Sequence, residues 1–241
     1  MVSKNQIKLI ASLQQKKYRT AEGLFIAEGV KVITELLHSH FQPVYLFETE
    51  KVLPPTSISP ELISPDILKK MSALHEPNNC LGVFRMREPQ AILEEGLLLV
   101  LDTIRDPGNL GTIIRLCDWF GITQVVCSAA TVDVYNPKVV QATMGSLSRV
   151  SVAYTDIEAF LSQTKLPIYG TFMDGESVYK QNLPQSAIVL LGNEANGISD
   201  AVAQHVTHRL SIPRFGDLQQ TESLNVATAA AIFLSEFRRA T

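Results

Sequence analysis

LLLVLDTIRDPGNLGTIIRLCDWFGITQVVCSA, residues 97–129, is the stretch on which the fold turns. It opens on an apolar run, LLLVLD, and closes on a second β-rich run, QVVCSA. Between them Leu110, Ile113, Ile114 and Cys117 fall at i, i+3, i+4 and i+7, one buried stripe of a helix. Pro107 and Gly108 make the turn, and Asn109 is a good N-cap for the helix that follows. Four more runs of the same kind follow: VSVAYT (150–155), PIYGTF (167–172), AIVLLG (187–192) and RLSIP (209–213). Continuous apolar runs separated by helical segments imply a parallel sheet covered on both faces.

Ligands of such sheets bind beyond the carboxyl ends of the strands, which singles out three loops. After the first run, Arg115 lies off the buried stripe of its helix, with bare Gly111 four residues earlier on the same face. A solvated arginine is the ordinary reading there. The glycine and the strand-end location favour an anion contact. After AIVLLG comes NEANGIS, which sets Asn193 and the Glu194 carboxylate where a buried strand meets solvent, between Gly192 and Gly197. After RLSIP, ending in Ile212 and Pro213, a loop leads into TESLNVATAAAIFLSEFRR. That helix opens on Glu222-Ser223-Leu224-Asn225 and continues with an alanine face. Alanine favours helix but adds little burial, whereas small side chains allow close approach. The polar start reads first as an ordinary Ser or Thr cap and alternatively as a place for an anion or polar ligand.

Residues 1–88 read as a smaller alternating α/β unit: an amphipathic helix over 3–17, strands LFIAEG, PVYLFE and CLGVFRM, and helices VKVITELLHSH and SPDILKKMS. REPQAILEEG (87–96) breaks the pattern with proline and charge, so the division is residues 1–88, a linker at 89–96, and a domain at 97–241. The 241 residues are 46% hydrophobic and 19% charged, a globular composition without any apolar run of about 20 residues that spans a bilayer. Three cysteines without CxxC spacing suggest neither disulfides nor zinc and fit a reducing cytoplasm. The start of the chain does not read as a secretory signal. His205 and His208 lack a third ligand nearby, so no metal is expected. The net charge of −3 gives no general case for nucleic acid, yet the first 31 residues hold Lys4, Lys8, Lys16, Lys17, Arg19 and Lys31 against Glu22 and Glu28. A phosphate-binding face and the solvated side of a first helix fit that cluster equally. GxGxxG, GxxxxGK[ST] and GxSxG loops are absent, which counts against dinucleotide, nucleotide-triphosphate and esterase chemistry.

NLGTIIR, LLGNEANGIS and IPRFGDLQQTESLNVATAAAI, in that order, resemble the three signature motifs of the SpoU/TrmH-type RNA ribose 2′-O-methyltransferases of the SPOUT class. EGLFIAEGVKVITELL and the unit after it resemble the L30-like substrate-binding domain often fused ahead of them. The resemblance implies an α/β protein whose C-terminal parallel-sheet SPOUT domain carries a trefoil knot. It also implies S-adenosylmethionine as cofactor, a homodimer formed through the C-terminal domain, and ribosomal RNA as substrate in preference to transfer RNA. Position by position it assigns Arg115, Asn109, Glu194, Ser223 and Asn225 to catalysis. Thr171, Gly192, Asn193, Glu194, Gly197, Ile212, Leu224 and Asn225 fall to the cofactor; the RNA is expected at Arg115 and, by the charge of the N-terminal cluster, at Lys16, Lys17, Arg19 and Lys31. Two departures stand out: the loop over 214–222 is longer than usual, and HEPNNCLGVF replaces a common Pro-Gln-Gly stretch. The competing expectations are a non-catalytic RNA-binding protein on the same fold and a small-molecule enzyme on an unrelated doubly wound sheet.

Overall fold

The apolar runs become strands. In the computed structural model, which describes residues 2–56, 58–216 and 223–239, the chain opens with α1 (Lys4–Ser12), α2 (Lys16–Glu22), β1 (Leu24–Glu28) and α3 (Val30–Leu37). It continues through β2 (Pro43–Glu48), β3 (Glu61–Leu62), α4 (Pro65–Met71), β4 (Cys80–Arg85) and β5 (Leu97–Leu101). Next come α5 (Pro107–Trp119), β6 (Gln124–Ser128), α6 (Pro137–Thr143), β7 (Ser151–Thr155) and α7 (Ile157–Gln163). The last elements are β8 (Ile168–Ser177), β9 (Ala187–Leu191), α8 (Asp200–Ala203), β10 (His208–Ser211) and α9 (Val226–Arg238). Two compact units result: residues 1–88 with 133–149, and residues 89–132 with 150–241.

In the first unit the sheet order is β1-β4-β2-β3, antiparallel except between β2 and β3. Ser3 starts α1 with a capping box, its Oγ accepting from Gln6 N while its own N–H donates to Gln6 Oε1. The helix expected over 3–17 is two helices, because the chain turns through Leu13–Gln15 before α2 begins. Ile10, Leu13, Ile26, Phe47, Leu68, Met71 and Leu81 form the core. Residues 133–149, within the stretch expected to form the C-terminal domain, pack here: α6 lies on β1, and the Tyr135 ring sits 4.7 Å from that of Phe25.

Arg19 does not join an exposed basic face. It is 2% exposed, and its guanidinium donates to the Leu13 and Gln14 carbonyls, at 2.9 Å each, and to the Asp133 carboxylate. The site is structural because burying a guanidinium demands partners for its donors, and the α1–α2 turn supplies them. Arg19→Ala would strand the carboxylate and is expected to lower unfolding free energy by about 3 kcal/mol. Chemical denaturation measures this, and a loss under about 1 kcal/mol would show the pair to be unimportant.

The second unit holds a six-stranded sheet, β10-β8-β9-β5-β6-β7, with every neighbouring pair parallel. Leu98, Val100, Ile188 and Leu190 face one side, where Ile157 and Leu161 of α7 and Val202 of α8 complete a buried cluster. Helices α5 and α9 pack against each other, with contacts from α5 to β6 and from α9 to β9. Leu110, Ile113, Ile114 and Cys117 are all buried, as their spacing requires. From β5 the chain runs outward through β6 to β7, then crosses to build β8, β9 and β10 on the other side. The sheet order therefore reverses between β5 and β9, where doubly wound sheets hold their ligands. No helix among the described residues is long and apolar enough to cross a membrane.

Candidate active site

Residues after β5, after β9 and before α9 converge beyond the β5–β9 switch. Helix α5 begins earlier than the sequence suggests. Asp106 is its N-cap, with Oδ1 accepting from Asn109 N at 2.8 Å, and Pro107 occupies the first helical position. Asn109 is therefore in the first turn, not at the cap, and its side chain is free for other contacts. Its Nδ2 donates to Glu194 Oε1 at 2.6 Å, and its Oδ1 accepts from Asn225 Nδ2 at 2.9 Å.

The cap of α9 sets the direction of this chain of bonds. Asn225 is that cap, and its Oδ1 accepts from Ala227 N at 3.0 Å and Thr228 N at 3.2 Å. Helix N–H groups can only donate, so the oxygen of Asn225 must face α9 and its amide nitrogen must face outward. The nitrogen meets the Asn109 oxygen, which leaves the Asn109 nitrogen for the carboxylate. One helix end thus orients two amides and hands a donor to Glu194.

Glu194 rides on a tight loop. Asn193 and Gly197 exchange main-chain bonds of 2.9 and 2.8 Å, and Asn193 Oδ1 accepts from Ala195 N at 2.8 Å. Gly197 has φ +69°, the left-handed region where glycine carries no Cβ penalty. Gly192 is required for a different reason: a Cβ there would fall 2.1 Å from Gly197 C and 2.2 Å from Ile198 N.

Beside the loop lies a cavity of about 630 Å³. Thr171, Gly192, Asn193, Glu194, Gly197, Ile212 and Leu224 line it, together with Ser223. Asn225 is not in the wall; its side chain is linked to it through Asn109 and Glu194. Val226, Ala229 and Phe233 present one side of α9 to the cavity, while Ala227 and Ala230 are buried. Ala229 thus keeps the cavity side of the helix open between Val226 and Phe233, and Ala227 and Ala230 allow close packing on the other. Phe172, the last residue of the expected run, also lines the wall, as does Met173, because β8 continues past that run. The apolar ending of PIYGTF followed by Met173 is the signal that could have found them.

Arg115 stands apart. It is exposed and is not among the residues of the cavity wall. Six residues beyond Asn109, it lies about 9 Å further along α5 and is turned to a different side of the helix. Lys16, Lys17 and Lys31 are exposed on the first unit. Of the longer loop over 214–222, Arg214 lines the cavity and residues 217–222 lie outside the described residues. Among the described residues no three His, Cys, Asp or Glu side chains gather into a metal site; His208 instead stacks on Tyr169 with centroids 4.5 Å apart.

Comparison with known proteins places this geometry. The signature of the SpoU rRNA methylase family matches residues 96–235, and that of the MRM3-like substrate binding domain matches residues 4–82. The 23S rRNA (guanosine(2553)-2′-O)-methyltransferase RlmP of Bacillus subtilis is 32% identical, over 98% of this chain and 97% of its own length. A TrmH-family structure from Porphyromonas gingivalis superposes with a TM-score of 0.90 at 40% identity, covering 100% of both chains. An S-adenosylmethionine-bound rRNA methyltransferase from Sinorhizobium meliloti gives 0.85 at 26% identity, covering 100% of this chain and 97% of that one. With more than half its length inside the signature, the chain belongs to the SpoU rRNA methylase family.

Proposed function

We propose that the protein transfers a methyl group from S-adenosylmethionine to a ribose 2′-hydroxyl of RNA, with ribosomal RNA as the substrate. One observation carries this reading: seven of the eight positions assigned to the cofactor from sequence line a single cavity, and the eighth is bonded into it. The cavity suits the cofactor. Its volume of about 630 Å³ falls in the range of roughly 300–1,000 Å³ of small-molecule sites. Leu191, Ile198, Ile212, Val226 and Phe233 offer apolar walls for an adenine ring, and the main chain of 192–198 and Ser223 offers polar contacts. The Glu194 carboxylate complements a positively charged donor. When bound, the cofactor supplies an electrophilic methyl group.

The protein's part is to position the acceptor and stabilise its developing charge. A 2′-hydroxyl attacks well only as its proton departs, and the alkoxide forming there needs donors. Arg115 faces away from its own chain's cavity, so its place in this reading is at the cavity of a second copy. There it orients the ribose and stabilises that oxygen; a guanidinium, which stays protonated, does not act as a free base. Asn109 and Asn225 hold Glu194 at the cavity wall. Lys16, Lys17 and Lys31 supply exposed positive charge for the RNA backbone.

The trefoil knot and the homodimer belong to the same proposal. From edge strand β10 the chain returns across the sheet to pack α9 against β9 and α5, which supports a threaded path. Trp119, one helical turn beyond Arg115 on α5, is 84% exposed, which supports a face covered by a second copy. A cytoplasmic setting accords with Cys80, Cys117 and Cys127, all free and buried. Burial raises the Cys80 thiol to about 11 and pushes the other two up as well, which keeps them unreactive.

Transfer of labelled methyl from S-adenosylmethionine to total RNA, followed by mapping of ribose methylation, tests the reading. An inactive protein that S-adenosylhomocysteine also fails to stabilise against heat would refute it. Asn225→Ala removes both cap bonds of α9 and the tie to Asn109. The cap loss costs about 1 kcal/mol of stability, and loss of the tie to Asn109 loosens Glu194 at the cavity wall, so a cofactor affinity about tenfold weaker, about 1.4 kcal/mol, is expected by calorimetry. Wild-type affinity would detach Asn225 from the site.

A further inference from the structure

The main-chain bonds between Asn193 and Gly197 close loop 192–199 on itself, yet they do not anchor it to the sheet. The anchor lies at the end of the neighbouring strand. Asp102 follows β5, is 5% exposed, and donates its N–H to the Leu191 carbonyl at 2.8 Å. Its Oδ2 accepts from both Ser199 N, at 2.9 Å, and Ser199 Oγ, at 2.7 Å. Its Oδ1 accepts from Thr103 Oγ1 at 2.9 Å.

Thr103 is the conformational exception. Its φ is +60°, a region that a β-branched residue rarely enters. In that conformation its carbonyl accepts from Asn193 Nδ2 at 2.7 Å, and its N–H donates to Ser128 Oγ at 2.8 Å. Such backbone persists only where the surroundings over-determine it, and it gathers at functional sites. Here the N–H, the carbonyl and the hydroxyl of one residue are all engaged. Asp102 holds the far end of the loop at Ser199, Thr103 holds the near end at Asn193, and Glu194 lies between them.

We propose that Asp102 and Thr103 are positioning residues that fix the Glu194 carboxylate at the cavity wall by clamping both ends of its loop. The role of Glu194 rests on the methyltransferase reading; the clamp does not. Asp102→Ala leaves the N–H and hydroxyl of Ser199 without their acceptor. In Asp102→Asn the amide oxygen accepts both Ser199 bonds while the amide nitrogen donates to the Thr103 hydroxyl, which turns from donor to acceptor. The conservative variant should therefore rescue the clamp.

The test uses the full chain and two readouts. Without ligand, amide hydrogen exchange across 193–199 should speed up by at least about tenfold in Asp102→Ala and stay near wild type in Asp102→Asn. In methyl transfer, Asp102→Ala should lower kcat by at least about tenfold with KM for RNA within about twofold. The double variant with Glu194→Gln should be no slower than Glu194→Gln alone, because both substitutions disable one group. Unchanged exchange in a folded Asp102→Ala, or losses that add in the double variant, would overturn the proposal. Should Asp102→Ala not fold, Ser199→Ala removes one of the same bonds and is expected to give a roughly threefold effect in both readouts, with wild-type values counting against the clamp. A wild-type protein that transfers no methyl group would defeat the proposed function, while the exchange measurement would still decide the clamp.

Discussion

Arg115→Ala is expected to abolish methyl transfer, by at least about 10²–10³-fold, while leaving S-adenosylmethionine affinity at its wild-type value. The two halves of this expectation have separate causes. Arg115 is exposed on α5 and takes no part in the cavity wall, so removing it costs the cofactor no contact. The guanidinium is the group assigned to the ribose oxygen, where charge grows only as the methyl group moves. A donor aimed at charge that exists only in the transition state lowers kcat when lost and spares ground-state binding. Arg115→Lys keeps the charge but loses the planar fork, so it should recover only part of the rate. Single-turnover transfer and calorimetry on the same preparations separate the two effects. A folded Arg115→Ala protein with wild-type turnover would remove Arg115 from the chemistry.

Gly192→Ala should be almost as damaging, at the other end of the process. The added methyl group would lie 2.1 Å from Gly197 C and 2.4 Å from Gly197 O, both main-chain atoms of the same loop. No side chain can swing away to relieve that contact. The loop must open, and the Asn193–Gly197 bonds with the Glu194–Asn109 bond must shift with it. Overpacking of this kind costs about 1–3 kcal/mol, and more when backbone must move. We expect cofactor binding to fall below detection in calorimetry while β9, buried along its whole length, keeps the sheet folded and circular dichroism unchanged. Retained affinity would show that the loop has a second arrangement compatible with the cofactor.

The parallel sheet was legible because its strands are buried on both faces and so read as unbroken apolar runs. The α5 stripe was legible because four apolar residues keep helical spacing. The cap of α5 was less so. Asp106 and Asn109 are both good caps, and what decides between them is Pro107, which fits the first helical position and cannot continue a helix behind a later start. Arg19 was misread because a basic residue in a helix usually points to water, and its partner Asp133 is 114 residues away in sequence. For the candidate site, sequence order indicated which loops meet, since strand-end loops converge in a doubly wound sheet. It could not show that Asn225 is bonded to Asn109, a link oriented by the direction of an N-terminal cap. Nor could it show that Arg115 turns away from the cavity its motif helps to form.

The first unit is assembled from two pieces of chain, and this matters at the ribosome. Residues 1–88 emerge early, but α6 and Tyr135, which cover β1 and Phe25, are translated only after 89–132, which belong to the other unit. Until then the nascent segment carries an uncovered aromatic face and a guanidinium still waiting for Asp133. Vectorial synthesis therefore cannot finish the leading unit first, and a fragment cut after residue 88 would inherit that unfinished state permanently.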